Sequence, residues 1–287
     1  MGELFSPLYC SSFAALFRSP LLQRIQKGEH RGHLDPLLKD SRFRGFDKIT
    51  SWKLGDVLDS IFSVIRRHYR CEYVYKSALA DLVLSDIYTV SAFAEFWASN
   101  SKADFVVANG TTVAYEIKTQ LDSLVRLKSQ IHSYMCVFDE VYVVTHSGLL
   151  PDVMELMDSR IGILEFTDTA GLQKIRPAKS NKDKVNPKVI FDSLRRLEYL
   201  KILQLEFGTV PDMPNTQIYR YCRELFSHLS PRVAHYYFAN ALKERGKEPA
   251  FKQLVAQAPE SLRALYLTSN LRIKNLQAVQ ERVEDYY

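Results

Sequence analysis

Two short apolar runs, at residues 103–107 and 113–119, flank an Asn109-Gly110 pair. Asn-Gly between two apolar runs is the strongest short-range signal of a β-hairpin. Side chains alternate between the two faces of a strand, so Glu116 and Lys118 are expected on one face. Asp104 lies on the other strand of the hairpin. The pattern therefore predicts that two carboxylates and an ammonium converge at one end of the hairpin, an arrangement suited to a hard divalent cation.

The segment after the hairpin has the three- and four-residue spacing of an amphipathic helix. It spans residues 122–138, with Asp122 as the expected N-cap. Gln130 and Tyr134 then lie one turn apart on a shared helical face. The β-branched run at residues 141–145 predicts a buried strand that follows this helix.

Weaker hydrophobic patterns predict the helices and strands that precede and follow the hairpin and its helix. Before the hairpin we expect two helices, ending near residues 70 and 84, and a first strand at residues 93–97 that carries Glu95. After it we expect a short helix at 151–157 and a closing strand pair, then a polar linker at 179–187. Helical patterns follow to the end of the sequence, at residues 189–205, 215–229, 231–245, 249–258 and 261–283. The expected division is residues 1–70 (arm and helix), 71–178 (core) and 186–287 (helical domain).

Composition narrows the class of protein. The 287 residues are 46% hydrophobic and 25% charged, which is ordinary for a chain that buries a core. The net charge of +5 is compatible with nucleic acid as a partner but does not require it. Four widely spaced cysteines without a C-x₂-C pair indicate reduced thiols in a cytoplasmic protein. No apolar run reaches the roughly 18 residues of a membrane span, and no signal peptide is expected.

The acidic and basic residues of the hairpin match a known signature. Asp104 followed by Glu116-Ile117-Lys118 resembles the motif of the PD-(D/E)XK nuclease superfamily, although Ala103 replaces the proline that often precedes the aspartate. The Gln130 and Tyr134 pair is similar to the Q-x₃-Y motif of its RecB-type and Cas4-like members. The sequence around the E-x-K motif also resembles that of a small, poorly characterised bacterial branch of predicted nucleases. The resemblance covers roughly residues 72–177.

This resemblance implies an α/β fold with a restriction-endonuclease-like core. A mixed central sheet would be flanked by helices, with an N-terminal helical arm and a C-terminal helical bundle. It implies Mg²⁺ or Mn²⁺ held by Asp104 and Glu116, with Lys118 as a further catalytic residue. Gln130 and Tyr134 would hold the substrate backbone or the water shell of the ion.

A further glutamate is expected to complete the metal site, and two candidates stay open. Glu95 is favoured over Glu72, because an acid among aromatic residues and alanines is costly to bury without a cation or a lysine as partner. The alternative for Glu95 is an edge-strand side chain in water.

The expected function is metal-dependent cleavage of phosphodiester bonds in a phage-defence or mobile-element setting. DNA is favoured over RNA as the substrate. One alternative is a non-catalytic protein of the same fold that binds nucleic acid or a protein. Another is an interaction protein whose C-terminal helices dock a partner, since their polar faces are rich in arginine and lysine. The sequence has no Walker A loop and no dinucleotide-binding fingerprint, so any ATP-driven step would come from a partner.

Overall fold

A computed structural model describes residues 7–18, 20–40, 46–84, 86–87, 89–167, 171–208, 213–246 and 248–287. Its contacts divide the chain into two compact units. The first comprises Met1–Tyr88, Thr119–Leu121 and Lys247–Tyr287. The second comprises Thr89–Lys118 and Asp122–Gly246.

Among the residues that the structure describes, helices and strands alternate in the middle of the chain. The helices are α1 (Cys10–Ala14), α2 (Pro20–Lys27), α3 (Arg31–Asp40), α4 (Leu54–His68), α5 (Glu72–Leu84), α6 (Leu127–Met135), α7 (Leu150–Leu156), α8 (Pro187–Asp192), α9 (Arg196–Phe207), α10 (Asn215–Phe226), α11 (Pro231–Glu244), α12 (Pro249–Gln257), α13 (Arg263–Thr268) and α14 (Ile273–Glu284). The strands are β1 (Ser91–Ala98), β2 (Ser101–Ala108), β3 (Thr112–Ile117), β4 (Glu140–Thr145), β5 (Gly162–Thr167) and β6 (Gly171–Arg176).

The first unit is helical and joins the two ends of the chain. Helix α14 packs against α2 and α4, and α13 packs against α5. The Tyr73 hydroxyl donates a hydrogen bond of 2.7 Å to the Ser261 carbonyl, which ties α5 to the C-terminal segment. The apolar stripe of α4 supplies most of the buried side chains on that helix, as its spacing in the sequence predicts.

The second unit contains a six-stranded mixed sheet with the order β1-β2-β3-β4-β5-β6. Strands β1, β2 and β3 form an antiparallel meander, β4 and β5 run parallel to β3, and β6 is antiparallel to β5. Each parallel connection passes through a helix, α6 before β4 and α7 before β5, as parallel neighbours require. The predicted α/β class, the Asn-Gly hairpin and the closing strand pair are confirmed.

Three predicted helix boundaries are wrong, and in each case a serine side chain bonds the backbone near the break. The helix expected from residue 122 begins at Leu127, because Ser123 accepts a hydrogen bond from the Val125 amide and stabilises a turn. Asp122 is therefore not its N-cap. The helix expected at 189–205 is interrupted after Asp192, where the Ser193 hydroxyl bonds the carbonyl of Val189.

The last predicted helix, at 261–283, is interrupted at residues 269–272. Here Ser269 accepts a hydrogen bond of 2.9 Å from the Leu271 amide. Hydroxyl groups that bond nearby backbone atoms offer the chain an alternative to the helical ladder. The hydrophobic period continues across both breaks, which is why the sequence pattern predicts single helices.

The predicted linker at residues 179–187 is held firmly against the sheet. Asp139, at the entrance to β4, accepts hydrogen bonds from the Ser180 hydroxyl and from the amides of Asn181 and Lys182. Asn181 is itself buried and donates to the carbonyls of Met135 and Phe138. The segment is thus an ordered crossing within the second unit.

The C-terminal helices are shared between the two units. Helices α8 to α11 belong to the unit that contains the sheet, and α12 to α14 belong to the N-terminal helical unit. Buried side chains of α8, α9 and α11 join the same hydrophobic cluster as the strands. The three-part division predicted from the sequence does not coincide with these units and stays a prediction. Within the described part of the chain, no helix is both long and apolar enough to cross a bilayer.

Candidate active site

The β2–β3 hairpin aligns Asp104 with Glu116. Phe105 is the partner of Tyr115 and Val106 of Ala114, and continuing this register by one residue brings Asp104 opposite Glu116. Opposite residues of an antiparallel pair share one face of the sheet. Asp104 Oδ2 also accepts a hydrogen bond of 2.7 Å from the Ile117 amide, which fixes the carboxylate at the end of the hairpin.

The turn of the hairpin permits this register. Gly110 has a φ of 69°, in the left-handed region that glycine adopts without a steric penalty. The Asn109 amide donates to the Thr111 carbonyl at 3.0 Å and closes the loop. The Asn-Gly signal in the sequence therefore determines which residues lie opposite each other across the hairpin.

Glu116 and Lys118 form a buried ion pair. The distance between Glu116 Oε1 and Lys118 Nζ is 2.8 Å, and the two residues are only 1% and 5% exposed. Lys118 is fixed next to β4, because its amide donates to the Val144 carbonyl and its carbonyl accepts from the Thr145 hydroxyl. Each group supplies the counter-charge that a buried ionisable side chain needs.

Helix α6 presents Gln130 and Tyr134 to this ion pair. Its buried residues Leu127 and Ile131 anchor the helix in the hydrophobic cluster. Gln130 Oε1 then accepts a hydrogen bond of 3.0 Å from Lys118 Nζ. Two side chains one turn apart on the same helical face thus reach Glu116 on β3 and Lys118 just after it.

Tyr134 contacts the carboxylate of the pair. Its hydroxyl lies 2.6 Å from Glu116 Oε2 and 2.8 Å from the Lys102 carbonyl, and it has one proton to donate. Burial and the negative charge of Glu116 raise the pKa of Tyr134 far above its usual range. The phenol is therefore a neutral donor. Both residues of the predicted Q-x₃-Y pair contact Glu116 or Lys118, so each is in a position to orient them.

Glu95 lies on β1, close to Asp104. The two side chains offer carboxylate oxygens within 4.8 Å of one another. Glu95 is exposed, so the burial argument that favoured it in the sequence is wrong, although it does lie beside Asp104. It adopts a φ of 55°, which is uncommon for a residue other than glycine and costs free energy in the middle of a strand.

Glu72, the other candidate, lies in the first turn of α5 in the helical unit. There its carboxylate forms an ion pair with Lys76 at 2.5 Å, one helical turn away. Carboxylates in a first turn also interact favourably with the helix dipole. The choice between Glu95 and Glu72 as an additional ligand stays open.

Carboxylate oxygens are the donors that Mg²⁺ and Mn²⁺ prefer. Those of Glu95 and Asp104 lie within 4.8 Å of each other, but among the described residues Glu116 does not form a mutual group with these two. Both oxygens of Glu116 already contact protein donors, Lys118 and Tyr134. A carboxylate has about four lone-pair positions, so these two contacts leave room for a further bond. A cation bound here would share Glu116 with the lysine and the tyrosine.

One further residue belongs to this arrangement. Lys102 forms an ion pair of 3.4 Å with Glu95, and its carbonyl is within hydrogen-bond distance of the Tyr134 hydroxyl. It lies two positions before Asp104 on β2, but Ser101 and Ala103 on either side of it face α6 and the hydrophobic cluster, so regular alternation does not place it. No spacing in the sequence therefore identified Lys102.

Comparison with known proteins identifies a family. The sequence profile described as Bacteriophage P4 protein cII matches residues 66–277, which include the hairpin, α6 and all the residues of the candidate site. The chain belongs to this family. Protein cII of Enterobacteria phage P4 is 26% identical to the chain over 178 residues, or 61% of the chain. The match spans 64% of the length of that relative.

A solved structure also resembles part of the chain. It is a protein of unknown function from Silicibacter pomeroyi, with 15% sequence identity and a TM-score of 0.32. The match covers 48% of this chain and 92% of the other.

Proposed function

We propose that this member of the P4 cII family is a metal-dependent nuclease with a restriction-endonuclease-like core, acting on DNA. One observation carries the proposal: Asp104, Glu116, Lys118, Gln130 and Tyr134 lie at one end of a hairpin and the helix that follows it. Glu116, Lys118, Gln130 and Tyr134 are linked by direct contacts, and Asp104 accepts a hydrogen bond from the amide of Ile117, the residue between Glu116 and Lys118. The resemblance to the PD-(D/E)XK motif predicts this set of residues before any geometry is considered.

Each side chain has a distinct task in the proposed reaction. A bound Mg²⁺ or Mn²⁺ would supply a Lewis acid for the scissile phosphate. Asp104, Glu116 and Glu95 would hold it. Lys118 offers an ammonium that orients a water or offsets negative charge on the phosphate.

Helix α6 supports the reactive residues. Gln130 limits the rotation of the lysine by accepting one of its three N–H groups, and Tyr134 limits the rotation of Glu116. Such support lowers the cost of assembling the site when substrate binds. Gln130 and Tyr134 thus act as positioning residues.

A second candidate function is binding without cleavage. It is favoured by the ion pair itself, because Glu116 is neutralised by Lys118 and hydrogen-bonded by Tyr134 without any cation. A site closed in this way can be purely structural. The two functions differ in one measurable respect: only the nuclease needs a divalent ion to act.

The test is incubation of the full chain with labelled single-stranded DNA, duplex DNA and RNA. Each substrate is tested with Mg²⁺, with Mn²⁺ and with a chelator. We expect cleavage that requires the ion and is lost in Asp104→Asn, which removes the charge but keeps an oxygen able to accept from the Ile117 amide. The matched control is Asp158→Asn, an exposed carboxylate paired with Arg160 outside the site. If the parent cleaves no substrate with either ion, or if Asp104→Asn cleaves as fast as the parent, the proposal is wrong.

A further inference from the structure

An exposed tryptophan lies on β1, the strand that also carries Glu95. Trp97, on β1, is 63% exposed, an unusual state for the largest apolar side chain. The register of β1 and β2 pairs it directly with Lys102, whose ammonium lies 5.3 Å from the centre of the indole ring. The two side chains form a cation–π pair open to solvent.

This pair is continuous with the residues of the site. The Lys102 ammonium also lies 3.4 Å from a carboxylate oxygen of Glu95. Glu95 in turn offers a carboxylate oxygen within 4.8 Å of one of Asp104. A row of side chains therefore runs from Trp97 through Lys102 to the carboxylates of the site.

The chemistry of this row suits an unpaired strand of nucleic acid. Aromatic side chains stack on bases irrespective of sequence, and a neighbouring cation contacts the phosphate backbone. In a duplex the base faces are covered by their neighbours, whereas an unpaired strand can present them. The described residues leave most of the Trp97 side chain exposed.

We propose that Trp97 and Lys102 form a platform on which an unpaired strand stacks as it enters the candidate site. The platform rests on the proposed function, because it names the substrate class of that same site. It makes single-stranded nucleic acid, or the unpaired end of a duplex, the preferred substrate.

Intrinsic fluorescence provides a direct measurement. The chain has two tryptophans, so Trp52→Phe leaves Trp97 as the single reporter. We titrate this variant with a short oligothymidylate in the presence of a chelator, so that no cleavage occurs. Stacking on Trp97 should quench its emission, and a duplex of the same length should quench it much less.

Affinity measurements on variants then test the role of the side chain. Trp97→Ala should lower the affinity for the single strand by about tenfold or more, the factor expected from the loss of one stacked base. Trp97→Phe should retain part of the affinity. The matched control, Tyr236→Ala, removes an aromatic side chain of 62% exposure on α11 and should leave binding unchanged. Equal unfolding midpoints by circular dichroism would show that each variant is folded.

The outcomes separate this proposal from the nuclease proposal. Unchanged affinity in Trp97→Ala, an equal loss in Tyr236→Ala, or equal quenching by duplex would overturn the platform, even if the protein cleaves DNA. A protein that binds single strands through Trp97 and cleaves nothing with Mg²⁺ or Mn²⁺ would support the platform and refute the nuclease.

Discussion

The buried pair of Glu116 and Lys118 gives the sharpest test of the site. Lys118→Met keeps an unbranched side chain of similar length and removes the charge. The Glu116 carboxylate, which is 1% exposed, would then lose its contact with Lys118 and keep its contact with the Tyr134 hydroxyl. Glu116→Gln is the complementary change, and the double variant closes a thermodynamic cycle.

The distance sets the expected size of the effect. At 2.8 Å between Nζ and Oε1, with an effective dielectric constant of about 20, the attraction is about 6 kcal/mol. Part of it is offset by the cost of removing both groups from water. Breaking a buried pair from one side typically costs about 3–5 kcal/mol, and we expect a loss of that order in Lys118→Met. The double variant should lose less than the sum of the single variants, with a coupling free energy of about 2 kcal/mol or more.

Urea unfolding at neutral pH, followed by far-ultraviolet circular dichroism, measures these free energies. Lys188→Met is the matched control, because Lys188 pairs with Glu224 at 3.1 Å while both side chains are largely exposed. Its loss should stay below about 1 kcal/mol. Added Mg²⁺ should stabilise Lys118→Met more than the parent, since the cation would replace the positive charge that Lys118 supplied to Glu116.

A coupling free energy within about 0.5 kcal/mol of zero would refute the reasoning, because the two groups would then be independent. A Mg²⁺ effect that is the same in Lys118→Met and the parent would remove Glu116 from the ligand set. Glu116→Gln removes the counter-charge of Lys118, so this variant should destabilise the fold as well.

Two other predictions follow from single contacts. Tyr134→Phe should lower the free energy of unfolding by about 1.5–3 kcal/mol and slow cleavage, because it removes a donor to the buried Glu116 carboxylate. The control is Tyr115→Phe, which changes a buried tyrosine on the other face of β3 and should alter the free energy of unfolding by less than about 0.5 kcal/mol. Equal losses in the two variants would contradict the prediction. Burial alone would raise the pKa of Asp139, but hydrogen bonds from two hydroxyls and two amides lower it overall. Its stabilising effect is therefore present above a pH of about 4 and is lost as the pH falls through the lowered pKa. Asp139→Asn should lower the free energy of unfolding, measured with urea, by on the order of 3 kcal/mol at neutral pH and by clearly less near pH 3. An identical loss at both pH values would contradict the lowered pKa of Asp139.

The sequence by itself determined the features that depend on local spacing. The Asn-Gly turn sets the register of the hairpin, and the period of two brings Asp104 and Glu116 to one face. The i, i+4 spacing of Gln130 and Tyr134 turns both toward the same strand. These features follow from backbone geometry within about thirty residues, so no distant part of the chain is needed to predict them.

Only the tertiary structure decided what those side chains touch. Gln130 and Tyr134 contact Lys118 and Glu116 because α6 lies across β3, and no periodicity encodes that crossing. The exposure of Glu95 likewise depends on the position of β1 at the edge of the sheet. The helix breaks at Ser193 and Ser269 arise because side-chain hydroxyls compete for backbone groups while the hydrophobic period continues. The C-terminal helices are divided between two units because burial depends on contacts between residues far apart in the sequence, such as Tyr73 and Ser261.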